Sequence, residues 1–407
     1  MKLVMAYSGG LDTSVMIPWL KDKYGADAEI IAYTGDLGQG EDLAAVKKKA
    51  LNTGASRAVV GDLREEFVRD FIFPSIQASA LYEGMYPLHT ALGRPLIVKK
   101  MAEIAIAEGA DAFVHGCSAK GNDQVRFEVG FRSLAPHIGI IAPLRDWEFR
   151  TREAEIAYAM AHDIPIPVTL DKPYSIDQNI WGCAIECGEM EDLWAEPPAD
   201  AWQMTKDPSH APKGSVEIKL TFEKGVPVAI DDRVMGGVAL LEHLNTLAGT
   251  FGVGRIDMVE NRVVGLKSRE VYEAPAASIL LMAHTELERI TLDRATFNYK
   301  RKVSQDFANL VYDGHWFSPL REALQSFINQ TQAVVSGEVR VRISAGLARI
   351  TGRRSQFSLY DTALATYSEG DVFDHSTAKG FLELYGLSNK TVASVRRANG
   401  LPTAKTC

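Results

Sequence analysis

Lys2-Leu-Val-Met-Ala-Tyr-Ser-Gly-Gly-Leu-Asp-Thr-Ser14 decides how the rest of the chain is read. The run Leu3 to Tyr7 is apolar throughout, the composition of a short strand buried on both faces. It breaks at Ser8-Gly9-Gly10, and Asp12-Thr13-Ser14 form the first turn of a helix running to about Lys23. Two glycines let backbone N–H groups approach a ligand closely, and the helix start behind them adds unpaired donors and a positive dipole end. The stretch therefore predicts a pocket for an anionic group, phosphate above all. Asp12 and Thr13–Ser14 are placed to cap the helix or to position a metal bound to the phosphates. Neither Gly-x-x-x-x-Gly-Lys-Ser/Thr nor Gly-x-Gly-x-x-Gly fits the stretch, so it is not one of the familiar nucleotide loops.

Working outward, Glu29 to Tyr33 reads as a second buried strand, followed by Thr34-Gly-Asp-Leu-Gly-Gln-Gly40. Glu41 to Asn52 reads as a helix with Leu43, Val46 and Ala50 on one face, and Ser56 to Val60 as a third strand. Arg64 to Glu83 is largely helical with Pro74 as an interruption, and after the turn Gly84-Met-Tyr-Pro87 a helix runs from about Leu96 to Glu108. Strands at Ala112–His115 and Ile138–Ala142 follow, then a helix from Arg150-Thr-Arg-Glu-Ala to His162. Strands alternating with helices at this spacing predict an α/β fold, a doubly wound parallel sheet with right-handed crossovers. Ligands then bind beyond the strands' C-terminal ends, where residues 8–14, 34–40 and the loop after His115 meet.

Ile164-Pro-Ile-Pro-Val-Thr169 is extended and proline-stiffened and marks the end of that domain. The division expected is 1–168 for nucleotide binding, 169–370 for an α+β substrate domain, and 371–407 for a tail. In the second region, residues 195–214 read as an irregular connection, Val216–Phe222 with Val226–Ile230 as a hairpin, and Val238–Ala248, Ser278–Leu287 and Ser318–Gln330 as helices. A second hairpin has Val339, Val341 and Ile343 alternating with polar residues. The tail carries Phe381, Leu382 and Leu384, then basic Lys390 to Arg397, so it packs on another subunit or domain.

Composition is that of an ordinary globular protein: 407 residues, 46% hydrophobic, 24% charged and a net charge of −8. The negative balance argues against a nucleic-acid partner. No apolar run approaches membrane-spanning length and the chain enters a strand at once, so no membrane association and a cytoplasmic location are expected. Four cysteines are too sparse for a disulfide scaffold. Cys183 and Cys187 lack a third ligand for zinc and read as partly buried, inert thiols, and Cys117 lies beside candidate site residues.

Residues 115–128, His115-Gly-Cys-Ser-Ala-Lys-Gly-Asn-Asp-Gln-Val-Arg-Phe-Glu128, crowd polar groups into a loop that faces the same crevice as residues 8–14. Ser8-Gly-Gly-Leu-Asp-Thr13 after an N-terminal strand resembles the pyrophosphate loop of ATP pyrophosphatases, of the adenine nucleotide alpha hydrolase-like fold. With Lys120 to Glu128, Ile164 to Thr169, Tyr174-Ser-Ile-Asp177 and Gly254-Arg-Ile-Asp-Met-Val-Glu-Asn-Arg262, the chain resembles argininosuccinate synthases, in that family's order and over nearly its whole length.

The resemblance implies an AMP-forming carbon–nitrogen ligase of arginine biosynthesis. ATP, L-citrulline and L-aspartate are its substrates, with Mg²⁺ on the phosphates and no separate protein metal site. The ureido oxygen attacks the α-phosphate, and aspartate's amine then displaces AMP. By motif match Ala6, Tyr7, Ser8, Gly9, Gly10, Leu11, Asp12, Thr13, Ser14, Gly35 and Gly116 hold ATP. Ser118, Asn122 and Asp123 hold aspartate, and Tyr86, Asn122, Arg126, Ser175, Glu260 and Tyr272 hold citrulline, with Asp12, Asp123 and Arg126 as catalytic candidates. The resemblance also implies a homotetramer whose C-terminal helix reaches a neighbour.

Several positions depart from the family's pattern. Leu88-His-Thr-Ala91 replaces Leu-Gly-Thr-Ser, Cys117-Ser118 replaces Ala-Thr, Ala184 replaces a serine that touches citrulline, and Ser268-Arg-Glu270 replaces Ser-Arg-Gly. Hydroxyls lost at Ala91 and Ala184 are each worth about 1–3 kcal/mol toward a charged ligand. Two readings stay open: citrulline binds more weakly, or aspartate is joined to a different ureido-type acceptor.

Overall fold

The computed structural model describes residues 1–149, 151–165 and 174–402, in two compact units, Met1–Phe357 and Ser358–Cys407. The sequence-based division at 168/169, most of Ile164–Thr169, and Arg150 lie outside the described residues. The strands are β1 Lys2–Ala6, β2 Glu29–Asp36, β3 Arg57–Asp62, β4 Ala112–Val114, β5 Gly139–Ile141, β6 Ser175–Asn179 and β7 Gly182–Glu186. They continue as β8 Ser215–Glu223, β9 Val226–Ile230, β10 Arg233–Val234, β11 Arg255–Asn261, β12 Lys267–Glu273, β13 Gly337–Ser344 and β14 Leu347–Arg354.

The first five strands form one sheet in the order β3-β2-β1-β4-β5, every neighbouring pair parallel. Side-chain alternation gives it two buried faces. Leu3, Met5, Ile30, Ala32, Ala112 and Val114 join one core, which includes residues of helices Leu11–Tyr24 and Arg152–Ala161. Val4, Ile31, Tyr33 and Phe113 join the other, with residues of helices His89–Glu108 and Asp123–Leu134. This is the doubly wound arrangement, and the strand order reverses between β1 and β4, where such sheets open a crevice.

Two antiparallel sheets follow, β10-β9-β8-β13-β14 and β11-β12-β7-β6. The second carries the site. Its β6–β7 hairpin is tied to the segment before helix His89–Glu108 by the Trp181 indole N–H, which donates to the Pro87 carbonyl at 2.8 Å. That segment is held at its other end by Ser79, whose hydroxyl accepts from buried Lys300 at 3.0 Å, while Lys300 pairs with Glu288 at 2.7 Å.

Three expectations need correction. Helix His89–Glu108 begins seven residues before the position read from sequence, because Pro95 lies inside it rather than at its start. Pro74 opens helix Phe73–Ala78 directly after a π-helical turn, Val68–Ile72, so the helical path bends past the missing N–H without ending there. Helix Arg294–Tyr312 was not anticipated, although Asp293 caps it through the N–H groups of Ala295 and Thr296.

In the second unit, helices Ser376–Tyr385 and Leu387–Ala398 leave Phe381, Leu382, Leu384, Val392 and Val395 at least half exposed. Its start at Ser358 is earlier than the tail marked at 371.

Candidate active site

The loop after β1 enters helix Leu11–Tyr24 through Gly10, and no side chain caps the helix. The first intrahelical bond is Ser14 N–H to Gly10 carbonyl, 3.1 Å. The N–H groups before it are therefore without helical partners, as an anion pocket requires. Gly9 has φ +77°, a conformation that a side chain would strain. The proposed capping by Asp12, Thr13 or Ser14 does not occur. The hydroxyls of Thr13 and Ser14 instead donate back to the Gly10 carbonyl, and Ser14, fully buried, also meets the Tyr7 hydroxyl at 3.1 Å. Ser8 accepts from Gly10 N–H at 3.3 Å and meets Thr13 at 3.1 Å, which closes the loop upon itself.

Two ionisable groups beside this loop escaped sequence reasoning. Lys49, from helix Leu43–Asn52, donates to the Gly9 carbonyl at 2.6 Å. Glu155, from helix Arg152–Ala161, has its carboxyl pushed up to about 8 by burial and by a hydrogen bond with Asp12.

The loop opens on a cavity of about 710 Å³. Ala6, Tyr7, Ser8, Thr13, Gly35 and Gly116 line the end beside the loop, and Ser118, Asn122, Asp123, Arg126, Tyr86, Ser175, Ala184, Glu260 and Tyr272 line the rest. Gly9, Gly10, Leu11, Asp12 and Ser14 support the loop without lining that cavity. Ala91 also stays out of it, 1% exposed in the hydrophobic core. Of the two lost hydroxyls, only the one at position 184 faces the cavity.

The sheet β11-β12-β7-β6 supplies one wall. Register places Ala184 opposite both Tyr272 and Asp177, and period-two alternation puts Glu270 and Glu186 on the same face. Tyr272 donates to Glu260 Oε2 at 2.7 Å and stacks on Tyr86 with ring centroids 4.2 Å apart. Burial pushes the Glu260 carboxyl up, while the hydroxyls of Tyr312 and Tyr272 pull it back.

Three guanidiniums also line the cavity, each already paired. Arg94 bridges Asp123 (2.8 Å) and Asp177, and Arg126 holds the other oxygen of Asp123 at 3.0 Å. Burial opposes ionisation of Asp123, but Arg94 and Arg126 outweigh it and hold the carboxyl below its ordinary range. Burial wins at Asp177, which is pushed up, with Arg94 offsetting only part of the shift. Arg262 serves both Glu186 and Glu270, and burial pushes each of those carboxyls up.

Arg94, Glu186 and Tyr312 had no signal in the sequence reading, and Asp177 and Arg262 entered it only as members of motifs with no role assigned; Arg94, Glu186 and Tyr312 act through partners distant along the chain. Burial pushes the Cys117 thiol up. Cys183 is fully buried, whereas Cys187 is exposed rather than partly buried.

Residues 2–165 match the family profile described as Arginosuccinate synthase N-terminal HUP domain, and residues 174–392 the one described as Arginosuccinate synthase C-terminal domain. The chain is 56% identical over 398 residues to the argininosuccinate synthase of Chlorobium phaeobacteroides strain BS1, spanning 98% of each protein. It is 55% identical over 396 residues to that of Chlorobium chlorochromatii strain CaD3, covering 97% of this chain and 99% of the relative. With that of Chlorobaculum tepidum it shares 55% identity over 397 residues, 98% of this chain and 99% of the relative.

Proposed function

The chain belongs to the argininosuccinate synthase family and is an ATP-dependent ligase; from that premise we propose how its crevice joins L-citrulline to L-aspartate. The observation that carries the assignment is the meeting, in one cavity, of the phosphate-type loop after β1 with an acid–phenol–guanidinium end around Glu260, Tyr272 and Arg126.

The ureido oxygen of citrulline attacks the α-phosphorus, a new P–O bond forms, and the bond to the β-phosphate breaks as diphosphate leaves. Aspartate's amine then attacks the adenylated carbon, the C–O bond breaks with AMP as leaving group, and the nitrogen sheds a proton. Neither step uses a protein nucleophile, so the protein contributes orientation and charge complementarity.

In this reading the loop N–H groups before Ser14, with Ser8, Thr13 and Lys49, receive the departing diphosphate, and Ala6, Tyr7, Gly35 and Gly116 border the nucleotide. Ser118, Asn122 and Asp123 take aspartate. Glu260 takes citrulline's ammonium, and Arg126 with Tyr86, Ser175 and Tyr272 takes its carboxylate and ureido oxygens. Mg²⁺ would accompany the triphosphate as part of that substrate and neutralise some of its charge. We assign a cytoplasmic homotetramer. The exposed apolar residues of Ser376–Tyr385 and Leu387–Ala398 support contact with another subunit.

The test is diphosphate release measured with each substrate omitted in turn. Sustained, multiple-turnover release requires citrulline and aspartate together, and release without citrulline but with another ureido acceptor would overturn the assignment.

A further inference from the structure

We propose that Tyr312 is the positioning residue of the acceptor end, holding Glu260, Asn122 and Arg126 in one constellation through its hydroxyl, its ring and its carbonyl. The inference rests on the reading of that end as the citrulline site. No motif points to Tyr312, which is the last residue of helix Arg294–Tyr312 and is fully buried.

Its hydroxyl accepts from Asn122 Nδ2 at 2.7 Å and donates to Glu260 Oε1. The Asn122 amide is thereby fixed in orientation, since its Oδ1 accepts the Val263 N–H at 2.9 Å. The Tyr312 carbonyl accepts Arg126 Nε at 2.9 Å, and the Arg126 guanidinium lies over the phenol ring at 4.9 Å. Tyr82 stacks on the same ring, with centroids 3.5 Å apart and planes within 4°. Two residues on, Gly314 has φ +83°, and a Cβ there would stand 2.8 Å from the Arg126 Cα. The backbone after Tyr312 thus presses against Arg126 where only glycine fits.

Glu260, Asn122 and Arg126 come from β11 and from the start of helix Asp123–Leu134. Among the described residues no side chain of the three hydrogen-bonds a side chain of the other two. Tyr312 is what they share, and a ligand spanning them meets a spacing set by one phenol. The constellation is also an electrostatic device. Around Glu260 stand Tyr272 and Glu270 from β12, Arg262 after β11, Arg126 from its helix, Tyr82 and Tyr86 from the segment before helix His89–Glu108, and Tyr312. Of these, Tyr312 and Tyr272 hydrogen-bond the carboxylate directly. Taking away one of the two donors makes Glu260 hold its proton to higher pH, and a neutral carboxyl cannot pair with an ammonium.

The experiment compares the full-length protein with Tyr312→Phe, which keeps the ring, the carbonyl and the stacking but loses the hydroxyl. KM for citrulline is expected to rise about 10- to 100-fold, the loss of hydrogen bonding at a charged group. KM for ATP is expected to stay within about twofold, because the nucleotide end is untouched. The acidic limb of kcat/KM for citrulline is expected to move to higher pH, which a merely structural residue would not cause. A second probe guards against loss of folding. Difluorotyrosine at 312 matches the native shape, donates more strongly, and is expected to move the same limb to lower pH. Unchanged citrulline KM and unchanged limbs in both proteins would overturn the proposal. Absence of citrulline-dependent diphosphate release in the native protein would instead remove the functional reading beneath it.

Discussion

Replacing His89 by leucine tests how much an unpartnered ring costs this fold. His89 opens its helix with no exposed surface, and neither ring nitrogen has a hydrogen-bond partner among the described residues. Its ring stands perpendicular to Tyr86 at 5.1 Å and meets Tyr272 edge-on at 5.4 Å. Burial, reinforced by the positive charges of Arg94 and Arg126, pulls its pKa down to about 3 from 6.5. The folded state therefore keeps the ring neutral while the unfolded chain takes up a proton, so stability is lost as pH falls from about 6.5 towards 3. Linkage over that interval gives a loss of about 2 kcal/mol at pH 5 relative to neutral pH. Leucine carries no such proton, and it removes two buried polar atoms worth about 1–3 kcal/mol, offset by about 1 kcal/mol of imperfect shape. Urea unfolding at pH 7.5 and pH 5 is expected to show His89→Leu at least as stable as the native protein at the higher pH. Its loss on acidification is expected to be about 2 kcal/mol smaller. Buried His115 and His284 remain in both proteins and cancel in the difference. Equal losses would refute the reasoning.

Ala184→Ser restores a hydroxyl on the cavity wall opposite Tyr272, and citrulline KM is expected to fall by about 3- to 10-fold. Ala91→Ser sets a hydroxyl into an apolar core, so the urea midpoint should drop, by about 1–2 kcal/mol of stability, with KM unchanged. A KM response at 91 and none at 184 would contradict the geometry. Removing residues 376–407 is expected to lower the particle mass in light scattering, and an unchanged four-subunit mass would reject the tail's part in assembly.

The parallel sheet was legible because three signals agreed: two-faced apolar strands, glycine punctuation and regular alternation with helices. What failed did so for local reasons. Helix Arg294–Tyr312 buries Lys300, Val303, Ser304, Phe307, Ala308 and Val311, a helical spacing whose apolar signal is broken by the lysine and the serine. Lys300 is tolerated inside only because Glu288 and Ser79 receive it. Helix His89–Glu108 was cut short because a proline within a helix reads as a boundary. At the site, the loop after β1 was legible as a contiguous motif. The ion pairs of Arg94 and Arg262 were not, since their partners are brought together only by the finished fold.

The hydrogen bond between Asn122 and Tyr312 spans 190 positions of sequence, which imposes an order on the making of this enzyme. The strands and loops of the nucleotide end all precede residue 150, whereas the acceptor end cannot close until residue 312 has been added. A chain growing from its N-terminus therefore carries every residue proposed for the nucleotide end before the residues of the acceptor end have all been added.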